Sequence, residues 1–501
     1  MRSSPSMRSG RTVGSRARCV VSLVHASRFA STARTMLQTP SRTAAMLMMT
    51  ASLALAAPFA VHAQTASARQ SPAEFWRTVG DTTLVQLISH ALDANRDLRA
   101  VEARVSEARA TRVDAALDLA PTVTASAGYI RQRIASAAFP GLGTALPDQD
   151  VWDAGLQMSW ELDVFGRLRR SLDGREALLE SAEEDVRDVR VLLAAEVARA
   201  YFDLRGAQQR LAVARLNAEN QRSTLGLTQD RLELGRGNAL DVERAQTQLS
   251  STLAMVPSLE AEIAATRNRI AVLTGNAPSG VARELDGEVS PVDLPAVLDV
   301  ADAEALVRVR PDVRSAERRL AARSAFVGAA KADYLPRLSI GGVAGYTADA
   351  FDALGNTGTP RYAIGPVVSW PLFDLGRVKT RVDAARAGQA EAAAQYEQTV
   401  LSALEEIETS LGSYASARER LQHLADAAAA SERATELARL RFQEGATDFL
   451  EVLDAERTQL DAQDRLAAGR TDATRHLVAV YRAVGGRWGM SNSGLQDRRD
   501  D

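Results

Sequence analysis

Apolar and polar residues alternate in several parts of the chain, which is the pattern of a β-strand with two unlike faces. One apolar set consists of Trp152, Ala154, Leu156, Met158 and Trp160. Another consists of Tyr362, Ile364, Pro366, Val368, Trp370 and Leu372. A third, upstream of the first, consists of Val123, Ala125, Ala127 and Tyr129. We predict two strands in each half of the chain, joined by loops at 138–150 and 349–360.

Two long stretches without proline follow the strands, at residues 166–235 and 376–445. Both are rich in Ala, Leu, Glu, Arg and Gln, which favour helix. At ~1.5 Å per residue each stretch would be about 100 Å long, whereas a globular helix usually has only ~11–12 residues. Each stretch ends in a turn that contains glycine, so we predict two very long helices whose chains reverse direction there.

Shorter helices are predicted on either side of these elements. Apolar residues at helical spacing predict one helix over about 84–119 and a counterpart over about 303–334, each ending before a proline. Return helices are predicted over about 240–273 and 450–484. Pro257 lies inside the first return helix, where we expect a kink.

The two halves also match each other in sequence. Residues 159–167 and 369–377 share the pattern Ser-Trp followed by Gly-Arg, at an offset of 210. Arg231–Gly235 and Arg441–Gly445 match at the same offset. The predicted organisation is therefore a first structural repeat at 64–275, a linker at 276–302, a second repeat at 303–488 and a disordered tail at 489–501.

The N-terminus is typical of an exported protein. No acidic residue precedes Glu74, and an apolar run at 44–57 is followed by a small-residue cleavage signature that ends at Ala63. The run is shorter than the ~20 residues of a spanning helix. We predict that 1–63 are an N-terminal extension and a signal peptide, cleaved after Ala63. The single cysteine, Cys19, would then be lost, which excludes disulfides and cysteine chemistry from the mature chain.

Strands of this kind in an exported chain suggest a membrane barrel, because tilted strands of ~9–11 residues cross a bilayer. Four strands cannot close a barrel. Each backbone group left unpaired in lipid costs roughly several kcal/mol. The edges would have to pair with other copies of the chain. The pattern does not decide whether the barrel contains two copies or three. Trp160 and Trp370 lie at strand ends, where aromatic girdles form. An exported coiled-coil scaffold without membrane strands remains an alternative.

Four motifs resemble the TolC/OprM-type, NodT-like family of outer-membrane efflux proteins. They are Val309–Leu320 (VRPDVRSAERRL), Ala198–Leu204 (ARAYFDL), Arg441–Glu456 (RFQEG followed by LEVLDAE) and Tyr481–Trp488 (YRAVGGRW). The resemblance covers roughly Leu84–Trp488, with the motifs in the family's order and spacing.

The resemblance implies an α+β membrane protein of the TolC-like fold. Each chain would give four transmembrane β-strands to a 12-stranded trimeric barrel, which continues into a long periplasmic α-helical coiled-coil tunnel. The implied function is the outer-membrane channel of a tripartite efflux pump, passively conducting drugs or other small molecules. The implied partners are further copies of the chain, a periplasmic adaptor protein, an inner-membrane transporter of the RND type and outer-membrane lipid.

The resemblance also assigns site residues. Leu450 and Asp454, four residues apart and so on one helix face, would form rings that gate the periplasmic end. Arg441 and Phe442 would belong to the surrounding tip network; Phe442 replaces a tyrosine of the family motif and lacks its hydroxyl. The adaptor would contact the tips at Arg231, Leu232, Gly235 and Gly445. Many relatives carry a lipid-modified cysteine at the mature N-terminus; none lies near Ala63, so no lipid anchor is predicted.

Catalysis is not expected from this sequence. After cleavage the histidines are His90, His423 and His476, which are isolated from one another, and no phosphate-binding loop or nucleophile motif stands out. We predict no cofactor and no metal site. The net charge of −3 gives no global positive field for nucleic acid. A type I protein-secretion duct of the same fold remains a second alternative, because the cargo cannot be read from the tube itself.

Overall fold

A computed structural model describes residues 75–77, 80–135, 147–278, 285, 294–295 and 303–486. The predicted signal peptide at 1–63, most of the linker at 276–302 and the predicted tail at 489–501 lie outside the described residues.

Each half of the described chain has the same order of elements. The first half contains α1 (Thr82–Ala94), α2 (Arg96–Leu117), β1 (Thr122–Gln132), β2 (Gln149–Leu162), α3 (Arg167–Glu233) and α4 (Ala239–Leu273). The second contains α5 (Ala303–Val309), α6 (Pro311–Ala332), β3 (Arg337–Ala348), β4 (Pro360–Ser369), α7 (Leu375–Gln443) and α8 (Phe449–Ala483). The helices α3 and α7 have 67 and 69 residues, as long as the proline-free stretches predict. Pro257 lies inside α4, which continues through it.

The first helix of each half is broken, and here the prediction of one continuous helix was wrong. Asn95 separates α1 from α2 with an extended backbone, because its buried side chain accepts from the Leu98 amide at 3.0 Å and donates to the Leu273 carbonyl at 3.0 Å. Arg310 separates α5 from α6 with the same extended conformation. It precedes Pro311, whose ring disfavours helical geometry at the residue before it.

The four described strands form one antiparallel sheet in the order β1-β2-β3-β4. Its register places the apolar residues of all four strands opposite one another, as in the pairs Val123–Met158, Trp160–Ile340 and Ile340–Pro366. Directly paired residues share a face, so one face of the sheet is apolar from edge to edge. The other face carries mostly small or polar residues, with Ile130, Val151, Val343 and Val367 as apolar exceptions. The outer edges of β1 and β4 have no partner strand within the described chain.

The helices are arranged in rows that continue the sheet. Near the sheet, α3 packs between α2 and α6, and α6 packs against α7. Toward the far end of α3, it packs between α4 and α8, and α8 packs against α7. Both rows therefore end in α7 on one side and in α2 or α4 on the other. Like the sheet, the helical part thus ends on each side in a helix with no further long helix packed against it in the described chain.

The main hydrophobic core lies where the two rows meet. Its largest fully buried side chains include Trp76, Tyr201 and Tyr481, and the rings of Trp76 and Tyr481 lie 5.0 Å apart. This core fixes the N-terminal segment, α3 and α8 relative to one another. In the described part of the chain, no helix combines the length and apolar character needed to span a membrane.

Candidate functional site

The two long helical hairpins end in turns of the same geometry. Gly235 and Gly445 both have positive φ, 67° and 75°, in the left-handed region that favours glycine. At each tip the residue after the glycine donates to a carbonyl five residues earlier, Arg236 to Arg231 and Ala446 to Arg441, both at 2.8 Å. These are Schellman caps, which end a helix sharply. The sequence match between the tips is therefore a match of backbone conformation.

A hydrophobic cluster joins the two tips. Phe442 is buried, its ring centroid lies 5.7 Å from that of Phe449, and it packs with residues of α3 and α4 that include Leu225 and Leu249. The Arg231 guanidinium lies 4.1 Å from the centre of the Phe442 ring, a cation–π contact. Arg231 and Phe442, assigned from the sequence to different roles, thus contact each other. Phe442 supports the tips from inside and does not reach the surface.

Leu450 and Asp454 lie on an exposed face at the start of α8. Leu450 is 55% exposed although it is a leucine, whereas Val452, two residues on, is 1% exposed. Asp454 is exposed on the same side as Leu450. Arg441 is exposed across the turn, with its guanidinium 3.9 Å from the Glu451 carboxylate. The single chain therefore presents an apolar and an acidic side chain together with nothing packed over them.

A buried carboxylate lies just behind this face, and sequence reasoning missed it. Glu456 is only 3% exposed; its carboxylate accepts from Thr224 of α3 at 2.6 Å and pairs with Arg439 of α7 at 2.8 Å. Further from the tip, Arg210 of α3 makes two hydrogen bonds to Asp464 of α8. These contacts hold α8 to both neighbouring helices. The partners are up to 254 residues apart, so no local sequence signal identifies them.

The predicted interface tryptophans have equivalent contacts in the two halves. The Trp160 indole donates to the Leu119 carbonyl at 2.9 Å, and the Trp370 indole donates to the Tyr334 carbonyl at 3.1 Å. Each thereby ties the end of its strand to the chain just before the first strand of its half. Trp370 is 48% exposed and lies one residue beyond β4.

A second group of aromatic residues lies at the opposite end of the apolar face. It consists of Tyr129, Trp152, Tyr346 and Tyr362, which fall on that face by register. Trp152 and Trp160 are eight residues apart on β2, which is about 27 Å along the strand at ~3.4 Å per residue, and about 19–22 Å along the membrane normal at the usual tilt of ~35–45°. An apolar band about 25 Å tall between two aromatic girdles is typical of membrane barrels. The sequence analysis placed Tyr129, Trp152 and Tyr362 in apolar sets but did not name Tyr346; that all four lie at one end of the face follows only from the strand register.

The opposite face of the sheet carries a polar network near the same end. Arg361 of β4 makes two hydrogen bonds to Asp153 of β2, at 2.6 and 2.8 Å, and Thr347 of β3 donates to Asp153 at 2.8 Å. Nearby, Gly155 and Gly345 face each other so closely that a Cβ on either would meet backbone atoms of the other strand. The described residues contain no group of His, Cys, Asp and Glu that could hold a metal ion.

A match to a known protein family decides which family this chain belongs to. The model of the outer membrane efflux protein family matches this chain twice, at residues 87–276 and 303–486. The chain belongs to the outer membrane efflux protein family. This confirms the family that the sequence motifs resemble.

Individual relatives extend the match over most of the chain. The toluene efflux pump outer membrane protein TtgF of Pseudomonas putida is 31% identical over 421 residues, covering 81% of this chain and 84% of the relative. Outer membrane protein OprJ of Pseudomonas aeruginosa is 30% identical over 425 residues, with coverages of 83% and 87%. The solved structure of the outer-membrane channel OprN is 43% identical, with a TM-score of 0.77 over 82% of this chain and 92% of that chain.

This efflux protein therefore has the TolC-like fold expected from the sequence, and it is an outer-membrane channel. Its relatives are outer-membrane components of efflux pumps, so it works as one part of a larger pump. The family consists of channels rather than enzymes.

Proposed function

We propose that this efflux protein is the exit duct of a tripartite pump, through which small molecules pass passively from the periplasmic side to the exterior. One observation carries the proposal: a sheet with one continuous apolar face and two open edges continues directly into helices about 100 Å long. A sheet of this kind suits lipid on one face and water on the other. The long helices extend the water-filled path away from the membrane.

The open edges support a ring of identical chains. A lipid-exposed sheet cannot leave the edges of β1 and β4 unpaired, so β4 of one chain would pair with β1 of the next. The helical rows end on the same two sides, in α7 and in α2 or α4. Every edge would thus be closed by a head-to-tail contact, which generates a ring. We propose three copies and a 12-stranded barrel, because three give a wider path than two.

Side chains at the free edges of the helices are suited to this contact. Leu440 of α7 is 52% exposed in the single chain, near the second tip. Leu240, in the first turn of α4, is 51% exposed near the first tip. Packing α7 of one chain against α4 of the next would bury these leucines together, which stabilises by about 1–2 kcal/mol for each leucine, since about half of each is already covered.

We propose that the exposed face of Leu450 and Asp454 is the gate. In a ring these side chains would recur around the axis, where leucines narrow the opening and carboxylates repel one another or hold a cation. Arg441 and Phe442 would support the gate, Arg441 at the surface and Phe442 from the core. Glu456, tied to Thr224 and Arg439, would resist the movement of α8 that opening requires.

The proposed partners follow from the two ends of the tube. A periplasmic adaptor protein would contact the tips at Arg231, Leu232, Gly235 and Gly445, and an inner-membrane transporter of the RND type would supply the cargo. The name of TtgF ties that relative to a toluene efflux pump, and we propose small-molecule cargo for this chain too. Trp160 and Trp370 would lie at the membrane interface. The duct would catalyse no reaction, hold no cofactor and bind no nucleic acid.

Conductance in planar lipid bilayers tests the proposal. We expect purified wild-type protein to conduct poorly and the double variant Leu450→Ala, Asp454→Ala to conduct clearly better, because the ring at the tip would be wider and uncharged. The single substitution Glu219→Ala, which removes an exposed carboxylate paired with Arg222 on α3, serves as the control and should leave conductance unchanged. Failure of every variant to conduct would contradict the duct, whereas an already open wild type would contradict only the gate.

A further inference from the structure

A cavity of about 500 Å³ lies between α7 and α8, several helical turns from the tip. Its α7 side is formed by Glu408, Thr409, Gly412, Ser413, Ser416, Ala417 and Arg420, and its α8 side by Gly469, Asp472 and His476. The small residues leave the space, and charged side chains surround it. Pockets that bind small molecules have volumes of about 300–1,000 Å³.

The cavity opens on the face of α8 that carries the proposed gate. Asp454, Asp461, Arg465, Asp472 and His476 follow one another at intervals of seven, four, seven and four residues, which keeps them on one side of the helix. The opposite side of α7 is covered instead: Tyr414 donates to the Pro295 carbonyl at 2.9 Å. Residues 414 and 416 point about 160° apart, at ~100° per residue. If Asp454 faces the channel axis, the cavity opens into the channel.

The charges around the cavity favour a cation. Asp472 already contacts two guanidinium groups, Arg420 at 3.9 Å and Arg475 at 3.2 Å. Glu408 is exposed and makes no hydrogen bond or ion pair with any residue that the structure describes. The ionisable groups of the lining are thus two carboxylates, one guanidinium and the imidazole of His476, and the carboxylate of Glu408 has no cation of its own. Hydroxyls of Thr409, Ser413 and Ser416 provide further acceptors.

We propose that this cavity, the α7–α8 pocket, is a transit site at which the duct binds small organic cations that carry N–H donors. The ammonium group pairs with Glu408 and the hydroxyls, and the apolar body lies on Gly412, Ala417 and Gly469. The location of the site inside the channel rests on the proposed function. The site itself rests on the cavity and its lining.

Binding of benzylammonium to the purified full-length protein, measured by equilibrium dialysis, tests the site without requiring conduction. Glu408→Gln should raise the dissociation constant roughly 3- to 10-fold, since one charge-assisted hydrogen bond is lost. Gly412→Leu should weaken binding at least as much by filling the space. A Cβ at Gly412 meets no atom within 4 Å, so this variant leaves the helix packing intact.

The control is Glu432→Gln, which removes an exposed carboxylate from the same helix outside the cavity and should leave the dissociation constant unchanged. Equal binding by wild type, Glu408→Gln and Gly412→Leu, or no binding by wild type, overturns the pocket. Block of the bilayer current by benzylammonium, weakened by the same two variants, places the pocket in the channel. Conduction without binding would support the duct and contradict the pocket. Binding without conduction would support the pocket and contradict the duct.

Discussion

At the scale of single residues, Asp188 of α3 is a carboxyl group in an unfavourable position. Burial, followed by the nearby Asp312 carboxylate, raises its pKa to about 6, and the Arg310 guanidinium only partly opposes this. Asp185 raises this pKa further and Arg482 lowers it. Because the folded-state pKa lies above the ordinary value of 3.8, ionisation of Asp188 destabilises the fold as pH rises from about 4 to about 6, and the full cost remains above that.

We therefore predict that Asp188→Asn stabilises the protein at pH 7.5, by about 1–3 kcal/mol, and has little effect at pH 4. The measurement is the midpoint of thermal unfolding at the two pH values. Asp461→Asn, which removes an exposed carboxylate from α8, is the control and should shift neither midpoint appreciably. A stabilisation that is equal at both pH values would contradict the account, because it would not depend on ionisation.

The sequence predicted where the tips lie, but not how their side chains pack. Gly235 and Gly445 are identified by their position after proline-free stretches, and both have the positive φ that glycine tolerates. Phe442 was predicted for the tip network around the gate; that its ring is buried against Phe449 could not be predicted, because the family motif specifies which residues lie at the tip but not which way each one points. Glu456 was not found at all, since its partner Thr224 is 232 residues away.

At the scale of secondary-structure elements, α3 and α8 approach closely at Gly206. A Cβ built there would clash with the side chain of Thr471, whose hydroxyl is held by the Ala467 carbonyl at 3.2 Å. The glycine is therefore required by the contact between the two helices, although glycine disfavours helix by about 1 kcal/mol relative to alanine.

We predict that Gly206→Ala lowers the free energy of unfolding by about 1–3 kcal/mol, because the two helices must move apart. Gly226→Ala, in the same helix, is the matched control: a Cβ there meets nothing within 4 Å, so it should stabilise by up to about 1 kcal/mol. Thermal unfolding followed by circular dichroism compares the two variants. If both alanines stabilise equally, α3 and α8 do not pack as described.

Element boundaries mostly followed from the sequence where one residue type decides them, except at Pro311, which marks a helix break that the prediction missed. The ends of α3, α4, α7 and α8 lie within a residue or two of the predicted positions, because proline and glycine mark them. The break at Asn95 was missed: its side chain accepts from the Leu98 amide as a local N-cap, and it also donates to the Leu273 carbonyl from the other end of the repeat. A tertiary contact of that kind leaves no local pattern.

At the scale of the whole molecule, the two faces of the sheet should respond oppositely to charge. Ile364 of β4 lies in the middle of the apolar face, paired with Gly342, whereas its neighbour Ala363 lies on the other face, paired with Val343. A lysine facing the lipid near the bilayer centre costs about 2–4 kcal/mol, whereas one facing water costs little.

We predict that Ile364→Lys sharply reduces the amount of heat-resistant oligomer in the outer-membrane fraction, while Ala363→Lys leaves it close to the wild-type amount. Gel electrophoresis of heated and unheated membrane samples measures both. Equal loss in the two variants would contradict the assignment of one face of the sheet to lipid and the other to water.

The central claim is that several identical chains close their open edges into one tube. The alternating strands and long helices predicted the open edges. The physical argument from a single chain does not decide whether two or three copies close the tube. Native mass spectrometry of protein extracted from the outer-membrane fraction tests the claim most directly. The account predicts one species with the mass of three mature chains; a single chain that is stably inserted in the membrane on its own would contradict it.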